Sequence, residues 1–314
     1  MVKKITKKAK FLSIGLAMAA IVIGTTAKGL AFADSDLQLF IAAWRTPSTT
    51  YDLTGPAGRP DGVVDYWDLN QLVSSLNKAS APQPVGISGN WNLKFSDEFN
   101  SSSLDTAKWQ PNWLGGSNTQ ITKPVGPEEV ACYDPAQVSV SGGTLRLSAI
   151  QKACRASDGS NYSYASGIVE SYNSYHYTYG VAEARMYLPA RPQTPSIPAN
   201  WPAFWSDGEN WPMDGEIDTM EVLGTDTCWH YHYGTVNTQV GSCPWIKGKP
   251  GWHTFANKWS PAGIDFYYDG QYVGHVNQSI TVGTSHYLIL NHAISSGSIT
   301  VPATVEVDYV RVWQ

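Results

Sequence analysis

The sequence predicts an all-β protein, a sandwich, jelly roll or barrel, preceded by a small two-helix segment. Three observations lead there. Short runs that alternate apolar and polar residues, among them "GTLRLSAI", "YGVAEARMYL", "GIDFYYDGQYVGHV" and "ATVEVDYVRVW", recur from Asn90 to the end of the chain, and a period of two marks strands with one buried face. Asp269-Gly270 sits between two such stretches, as the turn of a hairpin does. The chain also carries 13 Trp, 17 Tyr and 28 Gly, and aromatic residues favour strands.

Before the strands comes a leader. Residues 1–33 hold six lysines and no acid, then the apolar run "FLSIGLAMAAIVIG", then "AFA" ahead of Asp34, which is the order of a secretory signal peptide. The run is short for a bilayer, and no other segment approaches the roughly 20 apolar residues a membrane helix needs. The expectation is an exported chain, outside the membrane. Without the leader 15 Lys+Arg face 26 Asp+Glu, a net charge near −11, which argues against nucleic acid or anionic lipid as a partner and for a neutral one. All four cysteines, Cys132, Cys154, Cys228 and Cys243, follow the leader. An even count in an oxidising compartment predicts two disulfides; three connectivities are open, with pairing inside each close-lying couple expected.

Residues 34–78 read as helical. Leu37, Phe40, Ile41 and Trp44 recur at i, i+3, i+4 and i+7, and Leu69, Leu72, Val73 and Leu76 repeat the pattern, giving each helix one apolar stripe. Between them Asp61, Gly62, Val63, Asp65 and Asp68 have the spacing of the later positions of a calcium loop, while Ala57 and Arg59 stand where its first two ligands belong. The segment resembles one half of a dockerin. That resemblance implies a structural calcium and a cohesin-like scaffold partner; the alternative is a solvated acidic turn between two helices. Residues 79–89, within "NKASAPQPVGISGN", lack apolar periodicity and read as a linker, leaving 90–314 as the β domain.

The chemistry concentrates in "WPMDGEIDTMEVLG", where Glu216, Asp218 and Glu221 fall within six residues. On a strand Glu216 and Asp218 share a face. Glu221 joins them only if a β-bulge at Thr219 or Met220 adds one residue, which also sends Ile217 and Val222 into the core. Like charges side by side destabilise a sheet, so the row calls for a chemical reason. Retaining glycosidases supply one: a carboxylate nucleophile and a second carboxyl as acid and then base, with a third between them to share a proton and split their pKa values.

"EIDTME" resembles the active-site strand of the family 16 glycoside hydrolases in its bulged form. "LKFSDEFNSSSLDTAKW", "YGVAEARMYLPA", "NWPAFW", "WHTFANKWSPAGIDFYYDGQYVG", "YLILN" and "VEVDYVRVW" follow the family's order across residues 90–314. The resemblance implies a β-jelly-roll with a carbohydrate cleft, Glu216 as nucleophile, Asp218 as assisting acid, Glu221 as acid/base, and closest likeness to the laminarinase-like endo-β-1,3(4)-glucanases. It implies sugar platforms at Trp201 and Trp205, with Trp113 as a further platform, and a substrate-side role for Glu183 and Arg185, which alternate with Ala182, Ala184 and Met186. His230 and His232 share one strand face; a histidine satisfied within the fold is the commoner reading there, and a hydrogen bond from one of them to a sugar or to Glu221 is the alternative. "YGT" and Asn237 stand where laminarinases have "HGT" and a second His, a departure that bears on glucan preference. Asp308 matches a calcium-binding Asp of the family, or is simply an acid at a strand edge. The combined expectation is a secreted, monomeric, polysaccharide-cleaving enzyme with no cofactor in catalysis, acting on β-1,3 or mixed β-1,3/1,4 glucan. A β-galactan substrate of the agar kind, or a jelly roll that binds carbohydrate without cleaving it, are the alternatives.

Overall fold

The computed structural model describes residues 42–45, 62–65, 68, 82–245, 249–277, 279–297 and 299–314. The chain divides into two compact units, Met1–Pro82 and Gln83–Gln314. In the first unit Ala42, Ala43 and Asp68 are helical, and the Asp68 carboxylate accepts the Asp65 amide at 2.7 Å. The leader, the apolar stripes except Trp44, and Asp61 lie outside the described residues. No helix among the described residues is long and apolar enough to cross a membrane.

The second unit is built from strands β1 (Leu93–Asp97), β2 (Ala131–Tyr133), β3 (Val138–Ser141), β4 (Thr144–Ala149), β5 (Cys154–Arg155), β6 (Asn161–Tyr162) and β7 (Tyr164–Ser166). These are followed by β8 (Ile168–Glu170), β9 (His176–Tyr177), β10 (Gly180–Leu188), β11 (Ala190–Arg191), β12 (Thr194–Pro198), β13 (Trp201–Asp207) and β14 (Glu216–Leu223). The last third holds β15 (Asp226–Tyr233), β16 (Thr238–Trp245), β17 (Gly251–Ser260), β18 (Gly263–Tyr268), β19 (Gln271–Asn277), β20 (His286–Ala293) and β21 (Ala303–Trp313).

Two antiparallel sheets face each other as a jelly-roll sandwich. The front sheet runs β16-β15-β14-β13-β20-β8, and the back sheet runs β19-β18-β17-β10-β21-β4-β3 with β1 also on β21. The core between them takes Phe204, Ile217, Met220, Val222, Leu288 and Leu290 from the front and Ala184, Met186, Phe255, Trp259, Phe266 and Val310 from the back. Each Val, Leu, Ile, Met or Phe side chain among these, taken fully out of water, contributes about 1.5–3 kcal/mol. The two disulfides are Cys132–Cys154 and Cys228–Cys243, the pairing inside each close couple.

The expected bulge is present. Asp218 pairs with His230 and Glu221 with Cys228, so Thr219 and Met220 together face the single residue between those partners. Both turn into the core, and the Asn257 amide of β17 donates to the Thr219 hydroxyl at 2.6 Å, a link between the sheets. A second bulge falls at Asp308 in β21, where the register with β10 shifts between Tyr309 and Val307, moving the inward set from Val305 and Val307 to Val310 and Val312.

Two expectations are corrected. Residues 83–89, read as the end of a linker, belong to the β unit: the Val85 amide donates to Glu183 at 2.8 Å, and Ile87 packs with Val181, Ala256 and Trp313. Glu183 and Arg185 do point away from the core, but β10 lies in the back sheet, so the core separates them from β14 and its acids. Glu183 is fully buried, accepts the Tyr309 hydroxyl at 2.9 Å, and is pushed up to about 7 by burial. Arg185 pairs with Asp308 at 3.1 Å and stacks over the Trp252 ring.

Thr219→Val keeps the shape of the bulge residue but removes the acceptor of the buried Asn257 amide. The expected cost is about 1–3 kcal/mol in urea unfolding; an unchanged midpoint would show that the cross-sheet bond does not hold the bulge.

Candidate active site

The front face is a grid set by strand register. His232, Glu216, Asp207 and Tyr287 form one row; His230, Asp218, Trp205, Ile289 and Glu170 form the next; Cys228, Glu221, Ala203, Asn291 and Ile168 form the third. The bulge therefore brings Glu216, Asp218 and Glu221 to one face. Gly215 precedes Glu216 with φ +83, and a Cβ there would meet the Tyr231 hydroxyl at 2.6 Å, so the entry to the strand requires glycine.

Each acid has its own partners. The Trp211 indole N–H and Asp218 both hydrogen-bond Glu216. Burial raises the Glu216 pKa, and the positive potential of His232 and these hydrogen bonds pull it back. Asp218 is held well above the usual carboxylate range, first by burial and then by the charges of Glu216 and Glu221. It is hydrogen-bonded to Glu216, with His232 Nε2 at 3.4 Å from its Oδ2. Glu221 accepts the Trp201 indole N–H at 2.9 Å, and its other oxygen lies 2.6 Å from His230 Nδ1. The His230 ring lies directly over Gly241, where a Cβ would come within 1.9 Å of Cδ2; only glycine lets the imidazole reach Glu221.

Donor atoms of Glu216, Asp218 and His232 all lie within 4.8 Å of one another, the spacing of a metal site. The trio is arranged to hold protons instead: an indole N–H aimed at Glu216 and a proton shared with Asp218 are poor neighbours for a cation.

Of the expected platforms, Trp201 binds the acid/base candidate directly. Trp205 is 6% exposed and lies beneath Trp113, whose ring is 5.5 Å away, so Trp113 is the outer platform and Trp205 the floor. The Trp113 loop is pre-set by Thr122, Asn112 and Gln110. His232 bonds Asn237 through Nδ1 at 2.8 Å, which uses the residue that departs from the laminarinase pattern.

Sequence reading passed over Trp211, which is 48% exposed beside Glu216, and Asp207. Trp211 carried a local signal, a Trp five residues ahead of the acid. Asp207 carried none, because its place beside Glu216 comes from pairing between strands. Burial and the Glu216 charge push Asp207 up to about 8, and burial pushes Glu170 up to about 7.

A family model described as glycosyl hydrolases family 16 matches residues 129–299, more than half of the chain. A glucan endo-1,3-beta-glucosidase A1 of Niallia circulans is 28% identical over 82% of this chain and 41% of its own length. A keratan-sulfate endo-1,4-beta-galactosidase of Sphingobacterium multivorum is 30% identical over 71% of this chain and 55% of its own. The chain thus spans about half the length of these relatives. The endo-beta-1,3-glucanase structure from Pyrococcus furiosus shares the fold, with TM-score 0.60 and 24% identity over 71% of this chain and 94% of that one.

Asp207 makes a pH prediction. Its folded pKa of about 8 lies above the ordinary 3.8, so its unfolded form gains by ionising first and stability falls as pH rises from about 4 to 8. Asp207→Asn removes this loss. Its unfolding free energy is expected to match wild type near pH 4 and to exceed it increasingly up to pH 8, by several kcal/mol; a gap independent of pH would contradict the assignment.

Proposed function

The chain belongs to the glycosyl hydrolases of family 16, and on that premise we propose that it is an exported, retaining endo-glycosidase that hydrolyses β-1,3 or mixed β-1,3/1,4 glucans. The observation that carries the reading is the bulged strand, which sets Glu216, Asp218 and Glu221 on one face beside Trp201, Trp211 and His230.

The mechanism follows from the partners. Glu216 is the nucleophile: its carboxylate attacks the anomeric carbon while the glycosidic C–O bond breaks and Glu221 gives its proton to the departing oxygen. Asp218, protonated, keeps a hydrogen bond on Glu216 and spares the row a third negative charge. In the second step Glu221 takes a proton from water, the water oxygen attacks the same carbon, and the ester to Glu216 breaks. His230 suits Glu221 to both roles, since a proton on either side of their 2.6 Å contact leaves a hydrogen bond intact. Two inversions at one carbon retain the configuration. Trp113 and Trp201 supply flat apolar faces for sugar rings.

A second reading, a β-galactan substrate, draws support from the galactosidase relative and from the "YGT" and Asn237 departure. The discriminating assay is reducing-end release from laminarin, barley β-glucan, agarose and keratan sulfate, with Glu216→Ala alongside. Glucan hydrolysis lost in the variant, with the β-anomer as first product, is the expected result. Turnover of a galactan alone would replace the substrate, and none on any polymer would sink the enzyme reading.

The Trp211 indole favours ionised Glu216, so Trp211→Phe is expected to raise that pKa and move the acid limb of kcat/KM to higher pH by on the order of one unit. An unmoved limb would show that the indole does not act on the nucleophile.

A further inference from the structure

Behind the floor of the front face runs a one-way chain of hydrogen bonds. The Trp205 indole N–H donates to Asn291 Oδ1 at 3.0 Å. The Asn291 amide donates to the Tyr133 hydroxyl oxygen at 2.8 Å, and the Tyr133 hydroxyl donates to Glu129 Oε2 at 2.5 Å. Glu129 takes the Gly126 amide on its other oxygen at 2.9 Å. All four side chains from Glu129 to Trp205 are buried, in places where a misdirected polar group has no water to turn to.

The polarity of every link is dictated. Indole has a donor and no acceptor, so Asn291 must show it the amide oxygen. The amide nitrogen then faces Tyr133, whose oxygen must accept and whose proton must go onward. An acceptor closes the line, and Glu129 takes that place through Oε2. Tyr133 is itself pinned: Cys132 beside it is in the disulfide to Cys154, and its backbone pairs with Thr122 in both directions. Thr122 also receives the Trp113 amide on its hydroxyl, so one short stretch of chain serves both contacting rings.

On the reading of the front face as a glycan site, we infer that Tyr133 and Glu129 are positioning residues for substrate binding: acting through Asn291, they fix the plane of Trp205 and with it the Trp113 ring that leans on it, 5.5 Å away and tilted by 30°. Neither touches the acid row. Their effect is on how tightly a sugar is held, and little on the bond-breaking step. An aromatic floor clamped before the substrate arrives has less entropy to lose when it binds.

The test is a double-mutant cycle of Tyr133→Phe and Trp205→Phe, read by kcat and KM on laminarin or barley β-glucan and by tryptophan emission. Tyr133→Phe is expected to raise KM about tenfold, the scale of one lost hydrogen bond, with kcat changed less than about twofold. In the Trp205→Phe background the same change should do nothing further to KM, because its route is gone. The emission shift caused by Tyr133→Phe should vanish in that background too. A wild-type KM and emission for Tyr133→Phe, or effects that add independently of Trp205, would overturn the inference. Should Tyr133→Phe fail to fold, Glu129→Gln takes its place in the cycle with the same expectations. If the wild-type protein cleaves neither glucan, it is the functional reading that has failed, and the emission cycle still decides whether Tyr133 acts on Trp205.

Discussion

Five positions separate Glu216 from Glu221, and a regular strand would send them to opposite faces. The site exists because the backbone of β14 takes one residue more than its neighbours at Thr219 and Met220. That single irregularity sets the parity of everything after it: Val222 returns to the core, Glu221 joins the acids, and Trp201 and His230 on the flanking strands find a carboxylate between them. A bulge costs ladder hydrogen bonds, and the sandwich offsets this from behind, where Met220 fills the core and Thr219 takes the Asn257 amide from the opposite sheet. The back sheet thus serves the site without contributing a side chain to its surface.

The acids themselves oppose folding. Asp207, Asp218, Glu170 and Glu216 lie on the front sheet with raised pKa values, and burial is the first cause for each. A stability-driven sequence would place apolar residues there. Retaining them makes sense where a proton must be held at one carboxyl and withheld from another at the same pH, and where low dielectric makes that difference large. The aromatic surroundings, Trp205, Tyr287, Trp113 and Tyr172, keep water away and so sustain the split.

What the sequence discloses divides by range. Alternation locates the strands, and a broken alternation locates the bulges: "EIDTMEV" and "VEVDYVRV" each show two residues where one is due, and each is bulged there. Both disulfides join near neighbours in the chain, which is why closeness in sequence was a fair guide to them. Glu183 and Arg185 show the limit. Period two says which face of a strand a residue occupies but not which sheet the strand joins, and β10 joins the back one. Asp207 and the Glu129–Tyr133–Asn291 line were invisible for the same reason, being products of register between strands distant in sequence. Trp113 and Trp205 stand out in the sequence only as separate aromatic residues, and that their rings lie against each other is a matter of packing. The stretch 83–89 looked like a linker because an isolated Ile87 and an amide bonded to a distant glutamate leave no periodic trace.

The two halves of the site then solve different problems. On the β14–β15 side the contacts are between groups that can exchange protons, Glu216 with Asp218 and Glu221 with His230, and each stays hydrogen-bonded whichever partner holds the proton. On the β13–β20 side the chain from Trp205 to Glu129 admits one direction only, since an indole cannot accept and a carboxylate cannot donate. Reversible polarity suits chemistry in which a proton leaves and returns, and fixed polarity suits a surface that must not move while it does. The strand pair β13–β14 is the seam between them: Trp205 and Asp218 stand opposite each other in register, so the fixed floor meets the proton-carrying row at a single rung of the sheet.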